Sequence, residues 1–190
     1  MLIDGKPVDV STIQKALANG LAYVTEDRKQ LGLVLEEDIM KNITLSNLKG
    51  VSSHAVIDDI KELRVANDYR RKLNIRSPNV FQKTVNLSGG NQQKVVISKW
   101  LFSDPQLLML DEPTRGIDVG AKYEIYSIIN QMVDEGKAVL MISSEMAELL
   151  GMCDRIYVMN AGRFVGEFTG AEATQEKIMR AIMRAEGQYQ

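Results

Sequence analysis

The chain has 190 residues, of which 45% are hydrophobic and 25% charged, a balance that buries a core without metals or disulfides. A net charge of −2 gives no global positive field to attract nucleic acid. The single cysteine, Cys153, rules out an internal disulfide, and the lone His54 rules out a histidine-rich metal site but not a carboxylate magnesium site. No apolar run approaches the ~18 residues that span a bilayer, and the first residues, MLIDGKPVDV, lack a basic stretch followed by an apolar core, so a soluble, cytosolic chain is expected.

Met1 to Ile3 reads as a strand end and Asp4-Gly5-Lys6 as a tight turn. Ser11 is placed to cap a helix from Thr12 to Ala18 that Asn19-Gly20 terminates. Leu21 to Thr25 reads as a short buried strand, followed by the charged loop Glu26 to Gln30. Residues 34 to 80 are expected to be mostly helical, with Val56, Ile57, Ile60, Leu63, Ala66, Asn67, Arg70 and Leu73 at roughly helical spacing among charges. From Leu107 onward strand and helix alternate. Strands are predicted at Leu107 to Leu110 and Ala138 to Ile142, and helices at Ala121 to Val133 and Glu145 to Leu150. A hairpin of Arg155 to Met159 and Arg163 to Phe168 turns through Asn160-Ala161-Gly162, and a helix from Thr174 to Arg184 comes last. Buried strands separated by helices predict an α/β fold with a mainly parallel sheet.

Three segments carry chemistry. Leu87-Ser88-Gly89-Gly90-Asn91-Gln92-Gln93-Lys94 is a small-residue turn opening onto a helix. Its two glycines leave backbone N–H groups uncovered, Ser88 adds a hydroxyl, and the helix dipole favours an anion. Alone, it would be read as a plain turn and N-cap. Leu107 to Leu110 delivers Asp111 and Glu112 to a sheet edge, where α/β proteins bind ligands. Asp111 is placed to hold a magnesium ion, and Glu112, pointing the other way, to orient or deprotonate water. Arg115-Gly116-Ile117-Asp118 is a turn setting Asp118 ahead of the next helix.

In this order the three segments resemble the ABC ATPase family, over nearly the whole chain. Leu87 to Gln92 is similar to the family's signature motif, Asp111-Glu112 to its Walker B pair and Gly116-Ile117-Asp118 to its D-loop. Asp154-Arg155-Ile156 with Gly162 is similar to the strand after its switch region. The resemblance implies a partial P-loop NTPase core over 1–33 and 105–190, with a helical signature subdomain over 34–104. It implies ATP and magnesium as ligands, and nucleotide contacts at Ser88, Gly89, Gly90, Asn91 and Asp118. More narrowly, Tyr23 to Lys29, Leu87 to Lys94, Asp111 to Asp118 and Ser143-Ser144-Glu145 resemble the second half of tandem ATPases of ribose, xylose and galactose importers. That match implies another ATPase half, a membrane permease and a periplasmic sugar-binding protein as partners, and a peripheral location on the cytoplasmic face of the bacterial inner membrane.

The sequence departs from the family at three places. No Gly-x-x-x-x-Gly-Lys-[Ser/Thr] occurs, so the chain is expected to begin after the phosphate loop and, alone, neither to bind ATP tightly nor to hydrolyse it. Glu26 stands at the Q-loop glutamine position and Ser144 at the switch histidine position. Family dimers sandwich each ATP between one half's phosphate loop and the other half's signature. The expectation is therefore asymmetric: Ser88 to Gly90 serve the other half's nucleotide, while this half's own site is weak. The loop from Glu26 to Leu33 is the candidate for coupling to the permease. A soluble ABC-type ATPase working away from membranes, or an inert docking module, are the alternatives.

Overall fold

Apolar runs that end in a polar turn become the strands of a small parallel sheet, and helices with one apolar face close over it. The computed structural model describes residues 1–3 and 5–187, side chains of 185–187 excepted. It divides into two compact units, residues 1–142 and 143–190.

In the first unit, β1 (Leu2–Ile3) and β2 (Lys6–Pro7) pair antiparallel. Gly5 turns between them at φ 75° and Lys6 has already joined β2, while Asp4 of the expected turn lies outside the described residues. Helix α1 (Ile13–Ala18) is capped by Thr12, whose hydroxyl accepts from the Lys15 N–H at 3.3 Å. Ser11, the expected cap, instead donates its backbone N–H to Asp9 at 2.9 Å. Strand β3 (Leu21–Val24) leads into a π-helical turn, Arg28–Gly32, where the sequence suggested a plain loop. Asp27 organises that turn by accepting from the N–H groups of Lys29 and Gln30.

The stretch expected to be mostly helical is more broken. Helix α2 (Ile39–Thr44) gives way to a kinked 3-10 segment, then to a hairpin of β4 (Ser52–Ser53) and β5 (Val56–Ile57), then to α3 (Asp59–Lys72). His54 and Ala55, at φ 50° and 65°, close the hairpin in the left-handed region, and Asp58 caps α3 only after it. Val56 and Ile57 are therefore strand residues, and Ile60 is exposed. The face of α3 that is buried carries Ala66 and Glu62, whose carboxylate accepts from the Thr44 hydroxyl at 2.6 Å.

Helix α4 (Gly89–Leu101), strand β6 (Leu107–Asp111), helix α5 (Val119–Asp134) and strand β7 (Ala138–Ile142) complete the unit. The sheet runs β3-β6-β7, all parallel, with Leu21 beside Leu107 and Leu107 beside Ala138. Val24, Leu108 and Leu110 are fully buried, and α4 and α5 pack against β3 and β7. On the opposite face Tyr23, Leu140 and Ile142 are exposed, so the reading of β7 as a buried strand fails. A period of two sends alternate residues of an apolar run to opposite faces, whatever covers them.

Helices α4 and α5 approach unusually closely. A Cβ on Gly90 would stand 2.6 Å from the Ala121 Cβ. One turn on, Lys94, only 1% exposed, donates to Glu124 at 2.5 Å and to the Asn74 carbonyl at 2.8 Å. Arg76 reaches the other oxygen of Glu124 at 2.6 Å.

The second unit contains α6 (Met146–Met152), the hairpin β8 (Arg155–Asn160) and β9 (Arg163–Thr169), and α7 (Gln175–Gly187). Ala161 and Gly162, at φ 48° and 77°, make the expected tight turn. Ile156, Val158 and Ile178 form its core. Among the described residues, no helix is long and apolar enough to cross a membrane.

The Lys94–Glu124 pair generates a test. Glu124→Ala strands a buried ammonium and is expected to cost about 3 kcal/mol, toward the low end for a buried pair because Glu124 is partly open to solvent. The Lys94 hydrogen bond holds the Glu124 carboxyl below its usual value. This contribution is therefore complete at neutral pH and lost as pH falls through the folded-state value. Denaturant melts should show the gap between the two proteins closing in acid.

Candidate functional site

The site residues expected from sequence fall into groups. The first surrounds a cleft of about 170 Å³ where the N-termini of α4 and α5 meet. Ser88 caps α4, its hydroxyl accepting from the side-chain amide of Asn91 at 3.0 Å and from the Asn91 backbone N–H at 3.5 Å. Asn91 in turn accepts the Arg76 backbone N–H at 2.8 Å, and so fixes the chain that enters the cleft. Asp118 caps α5 by accepting the Ala121 N–H at 3.0 Å. Ser88, Gly90, Asn91 and Asp118 thus line one cleft, joined by Arg76 and Glu124, which the sequence reading did not single out. The two helix N-termini favour an anion in the cleft, while the Arg76 guanidinium is already paired with Glu124 and Asp118 forms a negative, hydrogen-bond-accepting edge.

The structure also gives Gly90 a role beyond exposing its N–H. It is the contact point that lets α4 lie against Ala121. A glycine read from sequence as a phosphate cradle is here also a helix-packing residue.

The second group is the C-terminal edge of β6. Tyr23 and Asp111 lie on the same face of the sheet, because Tyr23 is in register with Met109 two residues before Asp111. The Tyr23 hydroxyl donates to Asp111 Oδ2 at 2.5 Å. The strand ends at Asp111, and Glu112 takes φ 46°, a left-handed conformation rare for a side chain other than glycine or asparagine. Its direction is therefore set by this turn and not by strand alternation. Its N–H donates to the Ile142 carbonyl at 2.8 Å. Strained backbone of this kind is concentrated at functional positions. Among the described residues, no three His, Cys, Asp or Glu side chains gather to hold a metal. Asp111 offers a single carboxylate at this edge, the donor type a magnesium ion would take, with Oδ2 also accepting from Tyr23.

Glu26, at the Q-loop position, forms an ion pair with Arg115 in the turn after β6. Nearby, Arg28 donates to the carbonyls of Arg115 at 2.9 Å and Gly116 at 3.5 Å. Arg28 lies within the Tyr23 to Lys29 segment that resembles the sugar-importer ATPases, and its contacts are not legible from the sequence. Ser144 is exposed in the segment ahead of α6, in the second unit, where its neighbour Ser143 accepts the Glu145 N–H at 3.0 Å.

The hydrogen bond to Asp111, with some burial and charge repulsion, pushes the Tyr23 phenol up to about 12. Because the carboxylate favours the neutral phenol, Tyr23 should stay protonated through pH 11. Asp111→Asn should return it toward about 10. A pH titration of the tyrosine ring carbons by NMR reads this, and an unchanged Tyr23 midpoint in the variant would remove the pairing from the account.

Comparison with known proteins supplies a family for this geometry. The sequence model of the ABC transporter family matches residues 1–115. The chain is 61% identical over 181 residues to the L-arabinose transport ATP-binding protein AraG of Geobacillus stearothermophilus, covering 95% of this chain and 35% of that protein. It is 55% identical over 177 residues to the xylose import ATP-binding protein XylG of Geobacillus kaustophilus, covering 93% of this chain and 35% of that protein. The chain thus spans about a third of the length of these curated relatives. Among solved structures, cbiO1 of Clostridium perfringens, part of the ABC transporter complex cbiONQ, superposes with TM-score 0.73 at 21% identity, over 94% of this chain and 68% of that one. Fold, motif order and sequence likeness agree: the chain belongs to the ABC transporter family.

Proposed function

We propose that this chain is part of the ATP-binding and ATP-hydrolysing subunit of a bacterial ABC importer for a monosaccharide. Its partners are a second ATPase half, a membrane permease and, indirectly, a periplasmic sugar-binding protein. It works on the cytoplasmic face of the inner membrane, with 34–104 acting as the helical signature subdomain beside core segments 1–33 and 105–190. The observation that carries this reading is the meeting of Ser88, Gly90, Asn91 and Asp118 at two helix N-termini, in a group separate from the Tyr23–Asp111 pair. The relatives' names, arabinose and xylose transport, favour a pentose as cargo.

In this reading the cleft residues touch the γ-phosphate end of a nucleotide whose other contacts come from another domain's phosphate loop. The N–H groups at the start of α4 and the Ser88 hydroxyl act on developing phosphoryl charge, and Asp118 orients the junction. At its own edge this chain offers Asp111 for magnesium, which when bound neutralises phosphate charge. Glu112 orients or deprotonates the attacking water. With Glu26 and Ser144 in place of the family's glutamine and histidine, this second site is the weaker.

The test joins the chain to a phosphate-loop-bearing ATPase domain and its permease. Ser88→Ala or Gly89→Asp should lower sugar uptake about a hundredfold, the scale for losing transition-state donors, while Glu112→Gln has a smaller effect. Glu112→Gln as the more damaging change would overturn the asymmetry. The 190-residue chain alone should show neither micromolar ATP affinity nor magnesium-dependent turnover, and either one would contradict the shared-site reading.

A further inference from the structure

We infer that Arg28 is a positioning residue that locks the 26–33 loop, the first residue of α4 and the turn 115–118 into one mechanical body. This rests on the reading of Ser88 to Gly90 and Asp118 as the nucleotide-facing edge, and adds the part that would carry a displacement of the loop to that edge.

The loop is built as a rigid piece. Asp27 caps its π-helical turn through the N–H groups of Lys29 and Gln30. Behind it, the ammonium of buried Lys99 donates to the Gly32 carbonyl at 2.6 Å, and Gly32 lies against Val96 so closely that a Cβ there would stand 3.2 Å from it. Lys99 and Val96 both belong to α4, so the rear of the loop is fixed along that helix.

The front is held by Arg28. Its guanidinium spans the carbonyls of Arg115 and Gly116 and passes beside Gly89, where a Cβ would stand 2.7 Å from Nη2 and 3.3 Å from the Gly116 oxygen. One side chain thereby touches the loop, the first residue of α4 and the turn that leads to Asp118. Glu26 adds a second grip on the same turn through the Arg115 side chain. Two nitrogens of one planar fork take the two successive carbonyls, Nη1 that of Arg115 and Nη2 that of Gly116, a fixed spacing that the single nitrogen of an ammonium does not reproduce. The Arg28 Nε is buried without a hydrogen-bond partner, so the grip on the turn rests on the two terminal nitrogens.

The chemistry has a consequence for Gly89. A glycine there is favoured by the guanidinium and the Gly116 carbonyl that crowd it, and not by its backbone angles: a methyl would displace the Arg28 terminus and press on the carbonyl. Gly89→Ala and removal of Arg28 should therefore disturb one and the same contact.

Amide hydrogen exchange on the nucleotide-free 190-residue chain tests this. Arg28→Ala should speed exchange at Arg115 to Asp118 about tenfold or more, with Arg28→Lys intermediate and amides inside α5 unchanged. Gly89→Ala should speed the same amides in the unsubstituted chain but add clearly less in the Arg28→Ala background, where only the Gly116 carbonyl still crowds the new methyl. Unchanged exchange at 115–118 in Arg28→Ala, additive effects of the two substitutions, or an equal rise throughout α5 would each overturn the inference. Because no nucleotide is present, that failure is distinct from failure of the transporter reading, which would show instead as the expected exchange changes together with no effect of Ser88→Ala on uptake.

Discussion

Lys94 is the largest side chain fully buried among the described residues, and an ammonium in that position needs an opposite charge within hydrogen-bonding distance. Glu124 supplies it across the gap between α4 and α5, and the Asn74 carbonyl supplies a second acceptor. The pair fixes how α4 is rotated against α5, and the Gly90–Ala121 approach fixes how close they come. With rotation and distance both set, the first turns of the two helices have to open toward the same space. The cleft lined by Ser88, Asn91 and Asp118 follows from that packing and not from any property of the glycine-rich turn by itself.

The same packing separates two kinds of chemistry. The start of α4 offers N–H groups, a hydroxyl and the positive end of a dipole, which suit an anion arriving from outside. The end of β6 offers a carboxylate held by Tyr23 and a glutamate in a left-handed turn, which suit a cation and a water. In the proposed reading neither group makes a nucleotide site alone, and each is completed by another domain.

Much of this was legible in the sequence. The parallel strands, the helix after Asp118, the hairpin around Ala161-Gly162 and the capping by Ser88 rest on local periodicity and turn chemistry, which act over a few residues. The misreadings share a physical cause. The period of residues 56–73 looked helical throughout, but the hairpin at Ser52–Ile57 is closed by two left-handed residues, His54 and Ala55, whose identities do not announce that conformation. The apolar run of β7 looked buried, yet three of its five residues are exposed, since composition does not say which face is covered. The roles of Arg28, Tyr23, Lys94 and Glu124 are not legible in the sequence because each acts on a partner between 30 and 88 residues away. Such pairings depend on tertiary register. Tyr23 alone carried a signal, as an aromatic at the end of a strand predicted to be parallel to the Asp111 strand.

The central claim is that Ser88 to Asn91 meet a nucleotide whose phosphates are held by a different domain. The direct measurement is photo-cross-linking with a γ-phosphate-labelled ATP analogue, in the chain joined to a phosphate-loop-bearing ATPase domain, with the labelled peptides mapped. The account predicts label on the Leu87–Lys94 peptide that disappears when the other domain's phosphate-loop lysine is replaced. Label on that peptide in the isolated chain, or label that survives the lysine replacement, would contradict it.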